Sequence, residues 1–303
     1  MARRRKWTPT RAASAWAPAV TGSPTMARLT RYDTLGEVLE IATSKTGESS
    51  AWTKEPEKTW DYSAGFAGAV TLAREGWPAG AGAVHDLRAE LSAAVLREIR
   101  RDVWAFDVAG AVPDVARYLA GEPENMLAPC EEDRPARVCR VVINLAASAN
   151  ISAGVVKTRG AAVLALVDVL ESCGTRCEID AVRCVESTAL SNGRRVADLV
   201  RVKNAADAVD VDRLAFVLCH PAMQRRILWA LAHNTYPADL WQNYRPSKAF
   251  PIDLPDEHRG DIYIPGAQSD GSVTHWQNED TARAWIFDQL RQQGITTETH
   301  AAA

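Results

Sequence analysis

The spacing of apolar positions changes period several times along the chain. In "RYDTLGEVLEIATSK", residues 31–45, Leu35, Val38, Leu39 and Ile41 recur at helical spacing and predict an amphipathic helix. A polar stretch follows to about Thr59. "YSAGFAGAVTLAREGWPAG", 62–80, then predicts a second helix that stops at Gly76 with Pro78 just beyond. A third helix is predicted over "LRAELSAAVLREIRRDVW", 87–104, with its basic residues toward the C-terminal end. Residues 104–108 read as a short strand, and "VPDVARYLAGEP" as a short helix between Pro113 and Gly121. "CEEDRPAR", 130–137, is a polar connector and the natural place for a domain boundary.

Beyond it the pattern becomes that of an α/β protein. "RVCRVVINLA", 137–146, is apolar on both faces, as a central strand requires, and "SAGVVKTRGAAVLALVDVLESCG" is a long helix ending at Gly174. "TRCEIDAVRCVES" and "GRRVADLVRVKN" are strand-like runs joined through Asn192-Gly193, a hairpin signal that makes them antiparallel neighbours. "VDRLAFVLCHPAMQRRILWALAHN" is helical but interrupted at Pro221, which suits the first position of a second helix. An irregular stretch, a short strand at "DIYIPGA" and a closing helix at "NEDTARAWIFDQLRQQGI" complete the order. The reading is therefore a basic, disordered tail over 1–25, a mainly helical region over 26–135, and an α/β domain over 136–303. That domain has a mostly parallel sheet with one antiparallel strand, Rossmann-like in outline.

Composition narrows the function classes. The 303 residues carry a formal net charge of −3, but Arg3, Arg4, Arg5, Lys6 and Arg11 have no acidic neighbour in the first 25 positions. Without those five the remainder stands at −8, which argues against a dedicated nucleic-acid face. "AASAWAPAV" is too short and too interrupted by Pro18 for a signal peptide, Met26 is a plausible second start, and no segment approaches the ~20 apolar residues of a membrane span. Six scattered cysteines in a chain of this size fit a reducing cytoplasm.

The loop after the central strand offers Asn144, Ala146, Ser148 and Asn150, with neither the glycines of a phosphate loop nor the carboxylates of a metal site. Asn144 and Ser148 are also the residue types that satisfy backbone groups at a strand end and cap the next helix. Asp107, Asp114, Glu122 and Glu124 form an acidic segment that could do acid/base work or hold a metal if folded together, and is otherwise a solvated face. Cys173 and Cys177 have a spacing that zinc allows, but Cys184 lies seven positions further on, facing the other side of a strand, so the three read as small buried hydrophobes. Cys219 and His220, adjacent on a helix, point about 100° apart and make a poor nucleophile and base. Trp241, Tyr244, Arg245 and Trp276 lie in polar or irregular surroundings and suit a protein interface.

The element order, with the loop following "VVINLAASAN", resembles a von Willebrand factor A-like domain. Metal-binding members of that family use an Asp-x-Ser-x-Ser loop, a Thr and a late Asp. Carried over by position, the resemblance gives Asn144, Ala146 and Ser148 in the first loop and Asp270 in "GAQSDG" for the late Asp, and it implies a degenerate site with no cofactor or weakly bound Mg²⁺. The pieces "AREGWP", "YLAGEPENM", "NLAASANISAGVVKTRGAAVLALVDVLE", "HPAMQRRILWAL" and "TARAWIFDQL" resemble an uncharacterised family of tailed-bacteriophage proteins. That resemblance implies a viral protein working in the host cytoplasm. The leading expectation is a non-catalytic module that binds a host or phage protein and neither membrane nor nucleic acid. The alternatives are a metal-dependent hydrolase of phosphate esters, which needs the 107–124 carboxylates beside Asn144, and a virion structural component.

Overall fold

The computed structural model describes residues 26–46, 52–58, 61–62, 64–78, 82, 85–86, 88–93, 104–129, 137–148, 150–187, 194–236, 249–268 and 273–294. In chain order the elements are β1 (Met26–Tyr32), α1 (Leu35–Ser44), α2 (Gly65–Glu75), β2 (Trp104–Asp107), β3 (Val112–Pro113), α3 (Val115–Leu119) and β4 (Met126–Pro129). The second half contributes β5 (Arg137–Asn144), α4 (Ala153–Ser172), β6 (Thr175–Ser187), β7 (Arg194–Lys203) and α5 (Val211–Cys219). A π-helical segment, Met223–Leu228, then leads into α6 (Trp229–Thr235), followed by β8 (Ala249–Pro251), β9 (Ile262–Ile264) and α7 (Glu279–Gln292).

The main sheet has the order β1-β7-β6-β5-β9. Along this path the pairings are parallel except between β6 and β7, which form the antiparallel pair expected from the hairpin signal, and off the path β8 pairs β6 antiparallel as well. β6 outruns β5, and its last residues, 185–187, pair with β8 instead. The molecule is thus an α/β protein with a mostly parallel sheet.

One expectation changes. The region 26–135 is not simply helical, because β1 is the edge strand of the main sheet, in parallel register with β7 from Arg28↔Val196 to Tyr32↔Val200. The residues 104–129 form a separate three-stranded sheet, β2-β4-β3. A parallel partner some 170 residues downstream leaves no local signature, which is why the periodicity of this region shows its helices and not its edge strand.

Burial follows the pleat. Val141 and Ile143 join the large helix-covered core, while Val142, Val182, Cys184, Ala197 and Leu199 face the other side and pack with Leu254. On the helix side, α4 is buried continuously from Arg159 to Val167, with Ser152 as its N-cap. It lies so close to α5 that a Cβ on Gly160 would come within 2.4 Å of Cys219 Sγ and 2.5 Å of the Leu218 carbonyl oxygen. No helix among the described residues is long and apolar enough to cross a membrane.

Candidate functional site

β5 lies between β6 and β9 in the strand order, and the helices that follow β5 and β9, α4 and α7, pack in the same core on one face of the sheet. Here the loop after β5 is zipped to the loop after β9. Ala267 N–H donates to the Ala146 carbonyl at 2.9 Å and Ser148 N–H to the Ala267 carbonyl at 2.9 Å. Gly266 permits the approach, since a Cβ there would meet Pro251 Cβ at 2.4 Å and Asn144 Nδ2 at 3.0 Å.

Asn144 ties this junction together and is fully buried. Its Oδ1 accepts from the N–H groups of Ala146 and Cys184, both at 3.1 Å. Its Nδ2 donates to the carbonyls of Ile252 at 2.9 Å and Cys184 at 3.3 Å. A carboxylate could not make the last two bonds, so the amide answers a structural demand. The reading of Asn144 as a partner of backbone groups is the one its geometry favours, whereas the helix cap is Ser152 rather than Ser148. Asp270 lies outside the described residues. No three His, Cys, Asp or Glu side chains among the described residues are grouped to hold a metal ion.

A small cleft, open at its mouth, lies beside this junction and is lined by Leu145, Ala147, Val156, Arg159, His220 and Arg225 among others. A neighbouring hollow of about 250 Å³ shares Pro221 with it and adds Tyr62, Trp77, Lys157 and the first turn of α4. Arg159 is 2 % exposed. Its Nη2 donates to the carbonyls of Asn144 at 2.6 Å and Pro265 at 2.5 Å, locking the ends of β5 and β9 together. Its buried Nε has no hydrogen-bond partner among the described residues. Burial pulls the guanidinium down to about 10, and the ionisable group beside it is the Tyr263 phenol rather than a carboxylate. Arg225, also buried, donates to the Ile151 carbonyl at 3.2 Å.

His220 packs its ring edge-on to Trp77 at 4.6 Å, and its Nδ1 accepts the Ala222 N–H at 3.1 Å. Burial lowers its pKa to about 4 and pushes the adjacent Cys219 thiol far above its usual range. A protonated thiol beside an imidazole whose Nδ1 is engaged is not an activated nucleophile. Cys139, Cys177 and Cys184 are buried free thiols pushed up to about 12 by desolvation, in keeping with small core hydrophobes.

The acidic segment lies elsewhere. Asp114 caps α3 by accepting the Arg117 N–H, Asp107 accepts the Val108 N–H, and Glu122 pairs with Arg117, whose Nε donates to the Glu124 carbonyl. None of the four carboxylates lines the cleft or the neighbouring hollow. Trp276 corrects the expectation of an interface residue, since it is 3 % exposed and packs edge-on against Trp285 with ring centres 4.9 Å apart. Trp241, Tyr244 and Arg245 lie outside the described residues.

The surface of 104–129 presents a different chemistry. Of the eight large apolar side chains that are exposed among the described residues, six fall between Phe106 and Leu119, with Leu119 the most open at 78 %. Sequence reasoning saw the carboxylates of this segment and missed the apolar cluster, although Val108, Val112, Val115, Tyr118 and Leu119 are visible in the text. It also missed Arg159, whose only signal was a single cation inside the run "VVKTRGAAVLALV".

A family described as a domain of unknown function, DUF7192, matches residues 23–297. No curated protein and no solved structure matches the chain.

Proposed function

The chain belongs to the DUF7192 family, and from that premise we infer that it is a non-catalytic protein-binding module that engages its partner through the small sheet and helix of 104–129. The observation that carries this reading is the exposed cluster of Phe106, Val108, Val112, Val115, Tyr118 and Leu119. Large apolar side chains left exposed together in one short segment are what a protein interaction site presents. The rim is acidic, with Asp107, Asp114, Glu122 and Glu124 against the single cation Arg117. A second copy would meet this rim with the same sign of charge, so the fitting partner is a different protein with an apolar centre and basic surroundings.

The β7-β6-β5-β9 part of the strand order, in which β7 is antiparallel to β6 and β1 is added beyond it, supports relating the domain to the von Willebrand A-like class. In this reading Asn144 has replaced a metal-ligating aspartate and become a structural joint, and association needs no Mg²⁺. The phage resemblance supplies the setting, a host or phage protein met in the host cytoplasm.

The test is capture from phage-infected lysate with the full chain, with Mg²⁺ and with chelator, alongside the double variant Val115→Glu/Leu119→Glu. A partner retained by the wild type in both conditions, lost by the variant, and rebinding in purified form with salt-sensitive affinity supports the reading. Capture that the variant leaves unchanged, or a chain that only dimerises with itself by light scattering, refutes it.

A further inference from the structure

We propose that the cleft at the C-terminal end of β5 is a binding site for a small oxyanion, a phosphate or carboxylate group, held between the guanidinium groups of Arg159 and Arg225. The proposal goes beyond the protein-binding reading and involves a separate part of the molecule. Two observations meet at this place, in a cleft between the end of β5, α4 and the C-terminal end of α5. Two buried arginines line it, and a buried cation is expected to have a counter-charge or to be held by several polar groups. Arg159 has the second without the first, because its Nη2 donates to the carbonyls of Asn144, Ile264 and Pro265 with no carboxylate paired to it among the described residues, and its buried Nε lacks a partner among them.

The contrast with the other buried arginines sharpens the point. Arg183 faces Asp198 and Arg226 faces Asp61, in each case with both partners fully buried. Both of those cations have a carboxylate supplied by the fold. Among the described residues Arg159 has the neutral Tyr263 phenol as its ionisable neighbour, and an external oxyanion would supply the charge that completes it. An oxyanion entering by the mouth would meet Arg159 and Arg225 in the cleft, with Lys157 and the N-terminal turn of α4 in the adjoining hollow adding positive potential. His220 is neutral near pH 7 and acts there as an apolar wall with Trp77.

The experiment is calorimetric titration of the full chain with inorganic phosphate and, separately, with acetate, at constant ionic strength made up with chloride. Saturable binding of at least one oxyanion is expected, and the tighter of the two identifies the ligand class. Arg159→Lys keeps the charge but loses the fork, and is expected to weaken binding at least tenfold. Should that variant fail to fold, Gln224→Glu serves instead, because Gln224 lines the same cleft and is partly exposed. A carboxylate there would occupy the site from within and reduce affinity at least tenfold while leaving thermal stability near that of the wild type. No saturable binding of either ion, or binding that Gln224→Glu leaves undiminished, overturns the proposal, the second outcome meaning an adventitious ion only.

Discussion

Arg183 and Asp198 stand directly opposite each other on β6 and β7, both fully buried, with Arg183 Nη2 2.7 Å from Asp198 Oδ2. Tyr236 completes the group, its hydroxyl donating to the same carboxylate oxygen at 2.7 Å and accepting from Arg183 at 3.2 Å. The pair sits on the one antiparallel ladder of the strand path, so it fixes the register on which the hairpin depends. Asp198→Ala leaves a buried cation without its counter-charge and is expected to cost about 3–5 kcal/mol, read by urea denaturation. The joint replacement Arg183→Met/Asp198→Leu removes both charges and is expected to recover most of that loss.

Asn144→Asp tests what the amide is for. The aspartate keeps an acceptor for the N–H groups of Ala146 and Cys184 but turns an oxygen toward the carbonyls of Cys184 and Ile252. Two carbonyls lose their donor in a dry site, and a cost of about 3 kcal/mol or more is expected in denaturation at pH 7. Millimolar Mg²⁺ is expected to leave that cost in place. Recovery with Mg²⁺ in the same titration would instead show a working metal site.

Two imidazoles, His220 buried and His233 half-buried, set an acid limit on stability. Burial lowers both His220 and His233 from the ordinary 6.5 to about 4. Below pH 6.5 the unfolded chain takes up protons that the folded one refuses, so stability falls as the pH drops from about 6.5 toward 4 and is unaffected by these groups above that window. Each ring contributes a slope of up to about 1.4 kcal/mol per pH unit. Denaturation midpoints at pH 7.5, 5.5 and 4.5 check this, and His220→Asn, which keeps an acceptor for the Ala222 N–H, is expected to flatten the curve.

Gly160→Ala sets two effects against each other. Alanine gains about 1 kcal/mol in helix propensity over glycine. Its Cβ would overlap Cys219 Sγ and the Leu218 carbonyl, and forcing the two helices apart costs about 1–3 kcal/mol. A net loss of stability is expected in thermal unfolding, and the further replacement Cys219→Ala should relieve the part due to the sulfur.

What could be read from the sequence was whatever has a short-range cause. The central strand over 137–144 with its Val141-Val142-Ile143 run, the antiparallel pairing of β6 and β7, and the helix restarting at Pro221 follow from local patterning and turn chemistry. β1 escaped because its identity as a strand depends on β7, and Trp276 was misplaced because its polar neighbours conceal its packing on Trp285. The cleft was missed for a related reason. Residues from β5, α4 and the α5 terminus converge there, and Arg159 shows its uncompensated charge only once those elements are assembled.

The pairing of β1 with β7 also orders events in time. Residues 26–32 leave the ribosome early, yet the strand they join ends at Lys203, and α1 packs on α6, which ends at Thr235. At about 5–20 residues per second, the first strand waits roughly ten seconds to half a minute for its ladder. Throughout that interval the nascent chain holds a β-edge and an apolar helix face ready for any passing neighbour, so the rate of translation, and whatever shelters the chain as it emerges, bears on the yield of folded protein.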